Sequence, residues 1–129
     1  MTSSSSSSDQ PVRLSLPASS RYLAAARLVA TSLGAESGLS VDDLDDLRLG
    51  VNELVALLVD ASATGGRVDL EFDVADGTIT VRGELAGRVA TPIEADELTR
   101  RIVSAVADHH HLDDSSFTLT KVSTLRDQP

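Results

Sequence analysis

The chain is predicted to fold as an α+β two-layer sandwich, in which a mostly antiparallel sheet carries three helices on one face. Short segments alternate apolar and polar residues, as half-buried strands do; Val68, Leu70, Phe72 and Val74 form the clearest of them. Longer segments carry a single apolar stripe at helical spacing. Because each predicted helix has one apolar side, we expect all three helices to cover the same face of the sheet.

The first two predicted elements are a strand and a helix. Residues 12–16 alternate apolar and polar side chains, which is typical of a half-buried strand. A helix is predicted over residues 22–33, with Ser19 or Ser20 as its cap. Gly34 is the expected stop of this helix, because glycine readily takes the backbone conformation that ends one.

The second helix, predicted over residues 44–61, is the most informative segment of the chain. Leu54 and Leu58 are expected to be almost wholly buried, since they belong to its apolar stripe. Asn52 and Glu53 interrupt this apolar segment. The simplest interpretation places both on the solvated face, but a carboxylate beside so apolar a run also suits a functional site.

Aspartates crowd the first turns of this helix, after Ser40 as its predicted cap. They are Asp42, Asp43, Asp45 and Asp46. Such a cluster could bind a cation, but carboxylates there also stabilise the positive end of the helix dipole. The dipole explanation is favoured, so we predict no metal site and expect Asp43 to be exposed and of little consequence for stability.

The rest of the chain predicts a hairpin, a helix and a closing strand. Asp76-Gly77 is a strong signal for a two-residue hairpin turn. The predicted elements are strands at residues 68–74 and 78–82, a helix at residues 99–109 and a strand at residues 117–122. Together with the elements before them, they complete the sandwich.

Three adjacent histidines, His109, His110 and His111, are predicted at the end of the last helix. Adjacent residues point in different directions on a helix, so the three cannot ligate one metal together. Histidine near a helix C-terminus is favoured by the negative end of the dipole. No specific metal site is therefore predicted.

Composition excludes several classes of function. The net charge of −9 argues against nucleic acid and anionic membranes as partners. The chain has no cysteine, and therefore no disulfide and no thiolate chemistry. It has no apolar run of about eighteen residues and no visible secretory signal, so a cytoplasmic protein is expected. The serine-rich residues 1–11 are predicted to be disordered, residues 12–125 to form one domain and residues 126–129 to be flexible.

The second helix resembles the first conserved helix of the GHKL ATPase fold, in the branch of bacterial anti-sigma-factor serine kinases. Asp46, Leu47, Val51 and Glu53 match that helix in order and spacing. The resemblance extends over about residues 12–125, because the order of the predicted elements also agrees. It implies that Glu53 stands where the family has its catalytic base.

Three features of the family's nucleotide site are missing from this resemblance. Leu57 stands where the family has the asparagine that helps to hold Mg²⁺, and leucine offers no oxygen ligand. In the family, an aspartate that bonds adenine is followed by a glycine. The position nearest that aspartate is Gly83 in this chain, and Leu85 stands where the glycine would be. The phosphate-binding glycines are replaced by the acidic residues 94–97, and the loop before the last helix looks too short for a nucleotide lid.

The resemblance therefore implies a degenerate member of this branch: a regulatory domain that acts by protein–protein interaction in transcription regulation, without efficient ATP turnover. Its expected partner is a sigma factor or an anti-anti-sigma protein, with a homodimer as a further option, and no cofactor is expected. The alternative is an ATP-dependent anti-sigma-factor serine/threonine kinase that uses ATP and Mg²⁺. In that case Glu53 is the catalytic residue, and Asn52, Asp76 and Glu84 are the candidate nucleotide-binding residues. A non-enzymatic domain with an unrelated partner is the third hypothesis.

Overall fold

The computed structural model describes residues 10–127 and shows, within them, five strands and three helices. The strands are β1 (Val12–Pro17), β2 (Arg67–Ala75), β3 (Thr78–Ala86), β4 (His109–Leu112) and β5 (Ser116–Val122). The helices are α1 (Leu23–Glu36), α2 (Val41–Ala61) and α3 (Glu97–Val106). Single 3₁₀ turns cover Ser20–Tyr22 and Thr124–Asp127. Most of the predicted tail, residues 1–9, and residues 128–129 lie outside the described part of the chain.

The strands form one antiparallel sheet in the order β1-β2-β3-β5-β4. The last strand of the chain, β5, therefore lies between β3 and β4. Buried and less buried positions alternate along β3 and β5 and along residues 67–72 of β2. The inward positions pack under α1 and α2, and α3 packs beside α2. This confirms the predicted two-layer arrangement with the helices on one face.

The core forms where the apolar stripe of α2 meets the inward face of the sheet. Leu54 is 2% exposed and Leu58 is 0% exposed, which confirms the predicted orientation of α2. Phe72 and Leu119 are buried in the same cluster. Burial of such side chains contributes about 1.5–3 kcal/mol each to stability. No helix within residues 10–127 is both long and apolar enough to cross a membrane.

Gly34 does not stop α1, contrary to the sequence prediction. The helix continues to Glu36, and Gly38 provides the positive φ, of 94°, beyond its end. A Cβ atom at Gly34 would lie 2.9 Å from methyl groups of both Leu44 and Leu47. Gly34 therefore allows α1 and α2 to approach closely, and this contact between the two helices outweighs its local tendency to end a helix.

The three histidines do not end α3, contrary to the sequence prediction. They form most of the edge strand β4, because α3 already ends at Val106 and the chain turns back to pair with β5. His109 pairs with Thr120 and His111 with Thr118, so both lie on the sheet face opposite the helices. His110 pairs with Leu119 and shares the face of the helices.

Asp43 is buried, contrary to the expectation that it would be exposed. Only 1% of it is exposed, and its side chain accepts hydrogen bonds from Ser40 N at 3.2 Å and from Thr124 N and Oγ1, both at 3.0 Å. Its own backbone N–H donates to Ser40 Oγ, which completes a reciprocal cap at the start of α2. Burial raises the pKa of Asp43, but the hydrogen bonds from Thr124 and Ser40 outweigh it and lower the pKa below its ordinary value.

Candidate functional site

A cavity of about 870 Å³ opens beside the C-terminal half of α2. Its walls are α2, the segment of residues 91–95, the first turns of α3 and the turn between β4 and β5. The volume falls in the range that small-molecule and cofactor sites occupy. Because it combines this volume with a position beside α2, we take it as the candidate site.

The inner surface of the cavity is apolar. Leu54 and Leu57 contribute from α2, Ile93 from the preceding loop, Val103 from α3 and Leu112 from β4. Leu57 stands one turn after Glu53 on the same side of α2 and is only partly buried, so its side chain faces the opening. An apolar wall of this kind suits an apolar group and supplies no ligand for a hard cation.

The rim of the cavity is acidic. Asp60, Glu94, Asp113 and Asp114 line it, and all four are exposed. The one guanidinium in the lining belongs to Arg100, whose Nε donates a hydrogen bond to the carbonyl oxygen of Ala95 at 3.0 Å. The excess of carboxylates makes the cavity unfavourable for a polyanion and favourable for a cation.

The N-terminus of α3 lies beside the cavity, and a side chain of the protein caps it. The Asp96 carboxylate accepts a hydrogen bond from Thr99 N at 2.8 Å and caps the helix. This bond lowers the pKa of Asp96 below its ordinary value, so the carboxylate is charged at neutral pH. A helix N-terminus is the usual protein site for phosphate, and here a carboxylate of the chain itself already binds one of its N–H groups.

The segment that connects β3 to α3 is held against the body of the domain. Ala90 N donates to the carbonyl oxygen of Ala61 at 2.8 Å, and Ile93 N donates to that of Asp114 at 2.8 Å. The side chains of Ile93 and Ala95 are buried. Ordering by backbone bonds and buried side chains makes this segment a fixed wall of the cavity.

Asn52 and Glu53 do not line the cavity. Asn52 Oδ1 accepts a hydrogen bond of 2.6 Å from Arg27 Nη1, so this amide joins α2 to α1. Glu53 is half-buried and makes no side-chain hydrogen bond to another residue of the described part. The two residues are neighbours on α2, but they point in directions about 100° apart.

Gly83 occupies an inward position of β3 and leaves no room for a side chain. A Cβ atom there would lie 2.4 Å from the ring of Phe117 and 3.0 Å from a methyl group of Leu70. Leu85, two residues later, is buried on the same face. An adenine-binding aspartate at position 83 would therefore displace the aromatic side chain that closes the core beneath it.

Glu84 and Asp76 lie away from the cavity and from each other. Glu84 is exposed on the sheet face opposite the helices, next to Asp69 and Ser116 in the register. Asp76 is in the hairpin turn, at the end of β3 remote from the segment that leads into the cavity. The structure thus brings together none of Asn52, Glu53, Asp76 and Glu84 at the cavity.

The acidic rim is the feature that sequence reasoning missed. Asp60 is separated from Asp113 by more than fifty residues, and only the folded sheet brings them to one opening. Asp113-Asp114 followed by two serines is a turn signal, which could have indicated a strand before it. Within residues 10–127, no three histidine or acidic side chains are grouped to hold a metal ion.

Comparison with protein families gives a match over most of the chain. The family described as "Histidine kinase-like ATPase domain" matches residues 16–116, which run from the end of β1 to the first residue of β5. No curated protein gives a significant match.

Proposed function

Because this chain belongs to the histidine kinase-like ATPase domain family, we propose that it is a regulatory member of the anti-sigma-factor branch that has lost efficient ATP turnover. It acts by binding a protein, either a sigma factor or an anti-anti-sigma protein, and so regulates transcription. The proposed branch and partner are supported by the resemblance of α2 to the corresponding helix of that branch. The matching residues, in the same order and spacing, are Asp46, Leu47, Val51 and Glu53.

The proposal that ATP turnover is lost rests on one observation above all. Asp96 caps α3 where a triphosphate would need the free N–H groups of that helix. Glu94 and Asp113 add negative charge on the rim of the same cavity. Phosphoryl transfer depends on positioning the phosphates and neutralising their charge, and these three carboxylates oppose both.

The surface of α2 beside the cavity remains open to a protein partner. Asn52, Glu53 and Ala56 are only partly buried along it. Leu28 on α1 is 70% exposed and Leu49 on α2 is 42% exposed. Exposed apolar side chains next to polar ones are a common composition of protein interfaces.

An active serine/threonine kinase that uses ATP and Mg²⁺ is the second candidate. Glu53 favours it, because a half-buried carboxylate without a hydrogen-bond partner in the described part of the chain is suited to act on a substrate. In that case the nucleotide would have to bind without the asparagine side chain that Leu57 replaces, and despite repulsion from the carboxylates of the rim.

Calorimetric titration with about millimolar ATP and Mg²⁺ separates the two candidates. We expect no saturable heat from the wild-type protein. Saturable binding in the micromolar range that Glu53→Ala abolishes, and that Glu36→Ala on the exposed end of α1 leaves unchanged, would establish the kinase instead. A phosphorylation assay with a candidate anti-anti-sigma protein then gives the direct readout of activity.

A further inference from the structure

We propose that the cavity beside α2 is the docking site for a basic segment of the partner protein, with an apolar side chain of that segment inside the cavity and flanking lysines or arginines on its rim. The inference rests on the proposed function, because it names the chemistry of the segment that a non-catalytic domain of this family would hold.

The apolar lining defines the first part of the occupant. Leu57 and Leu112 are partly buried in the absence of a partner, and they stand over the buried Leu54, Ile93 and Val103. A leucine or similar side chain placed among them would remove apolar surface from water on both sides. Each apolar side chain buried in this way contributes about 1.5–3 kcal/mol.

The rim defines the second part. Its carboxylates stand on three separate elements: Asp60 on α2, Glu94 on the fixed segment before α3, and Asp113 with Asp114 in the turn between β4 and β5. The neighbouring His111 Nε2 lies 3.0 Å from Asp113 Oδ1. Charges distributed around an apolar centre match a segment in which basic residues flank an apolar one.

This distribution favours a peptide over a small amine. A compact ammonium group meets one or two carboxylates and leaves the apolar lining uncovered. A basic peptide meets carboxylates on several elements and covers the lining as well. The backbone bonds from Ala90 to Ala61 and from Ile93 to Asp114 hold the wall in place before binding, so little ordering opposes the association.

The test uses a short fluorescein-labelled peptide in which arginine and leucine alternate, titrated with the purified chain and followed by anisotropy. We expect saturable binding that weakens at least severalfold between about 50 mM and about 300 mM salt. In parallel, amide chemical shifts of the wild-type protein should change at residues 57–61, 91–95 and 110–114. Binding with shifts confined to the opposite face of the sheet would overturn the proposal.

Matched variants separate the cavity from the general acidity of the chain. Asp60→Asn combined with Glu94→Gln removes two rim charges, and we expect the Kd to rise about threefold or more. Asp69→Asn combined with Glu36→Gln removes two exposed charges elsewhere and should change it far less. Equal weakening by both pairs would mean that the peptide binds by net charge alone.

Two further probes test the remaining parts. A peptide that alternates arginine and serine should bind about threefold or more weakly, because it lacks the apolar side chain; equal affinity would overturn the apolar part of the proposal. Spermidine should compete poorly, and competition as effective as that of the unlabelled peptide would assign the cavity to a small amine. If the protein binds neither Mg-ATP nor the peptide, this inference is wrong and the proposed function stands. If it binds Mg-ATP saturably, the proposed function is wrong.

Discussion

Replacement of Asp43 tests the most specific structural finding, the burial of this carboxylate between the start of α2 and the end of β5. In Asp43→Ala, the N–H groups of Ser40 and Thr124 and the Thr124 hydroxyl lose their acceptor. These donors are only partly buried, and a donor that loses its acceptor costs up to about 1–3 kcal/mol. Ser40 Oγ still caps the backbone N–H of residue 43, and the exposed Thr124 can turn to water, so we expect a total loss of about 2–3 kcal/mol in the free energy of unfolding.

Urea denaturation followed by far-ultraviolet circular dichroism measures this loss. The control is Asp42→Ala, because Asp42 occupies the same helix turn and is exposed; a charge at a helix end contributes about 0.3–1 kcal/mol. Asp43→Asn retains one acceptor oxygen, so its loss of stability should lie between those of Asp42→Ala and Asp43→Ala. Equal losses for Asp42→Ala and Asp43→Ala would refute the assigned contacts.

The same site predicts a pH dependence. The pKa of Asp43 is lower in the folded protein than in the unfolded chain, so the unfolded state binds the proton more readily. The stability that this carboxylate contributes is therefore complete above about pH 4, the ordinary range of aspartate, and is lost as the pH falls through the folded pKa. The difference between wild type and Asp43→Asn should shrink in that acidic window and stay constant from about pH 5 to about pH 7.

Three other predictions concern the core and the altered positions. Leu58→Ala should cost about 2–5 kcal/mol in a urea melt, whereas Leu28→Ala, at a position 70% exposed, should cost under about 0.5 kcal/mol; comparable losses would mean that α2 is rotated. Gly83→Ala should cost about 1–3 kcal/mol and shift the Phe117 ring resonances, because the added methyl group meets that ring. Leu57→Asn should fold and still show no saturable heat with Mg-ATP, since Asp96 still caps α3; micromolar binding would show that the residue at position 57 alone decides activity.

Sequence reasoning succeeded where a pattern repeats within one element. The alternation of residues 68–74 and the stripe of Leu54 and Leu58 identified strand, helix and buried face correctly. The edge strand β4 was missed because three histidines alternate neither in polarity nor in size. Its conformation is imposed by pairing with β5, which no local signal in His109–Leu112 reveals.

The site was harder to predict because its groups come together only through tertiary structure. Gly34 carries a local stop signal, and only its contact with Leu44 and Leu47 explains why the helix continues. The acidic residues 94–97 were recognised in the sequence, but they have different roles in the fold: Asp96 caps α3 while Glu94 lines the cavity. The sequence indicated an acidic segment, and the fold decided which carboxylates a ligand would meet.

The contact of Asp43 with Thr124 has a consequence for biosynthesis. It joins positions 81 residues apart. The residues of α2 therefore emerge from the ribosome long before Thr124, whose N–H and hydroxyl groups complete the hydrogen bonds of Asp43. Until β5 also arrives to fill its place between β3 and β4, the sheet has an open edge at β3. A nascent or C-terminally nicked chain that lacks β5 therefore exposes that edge of β3 to pairing and proteolysis.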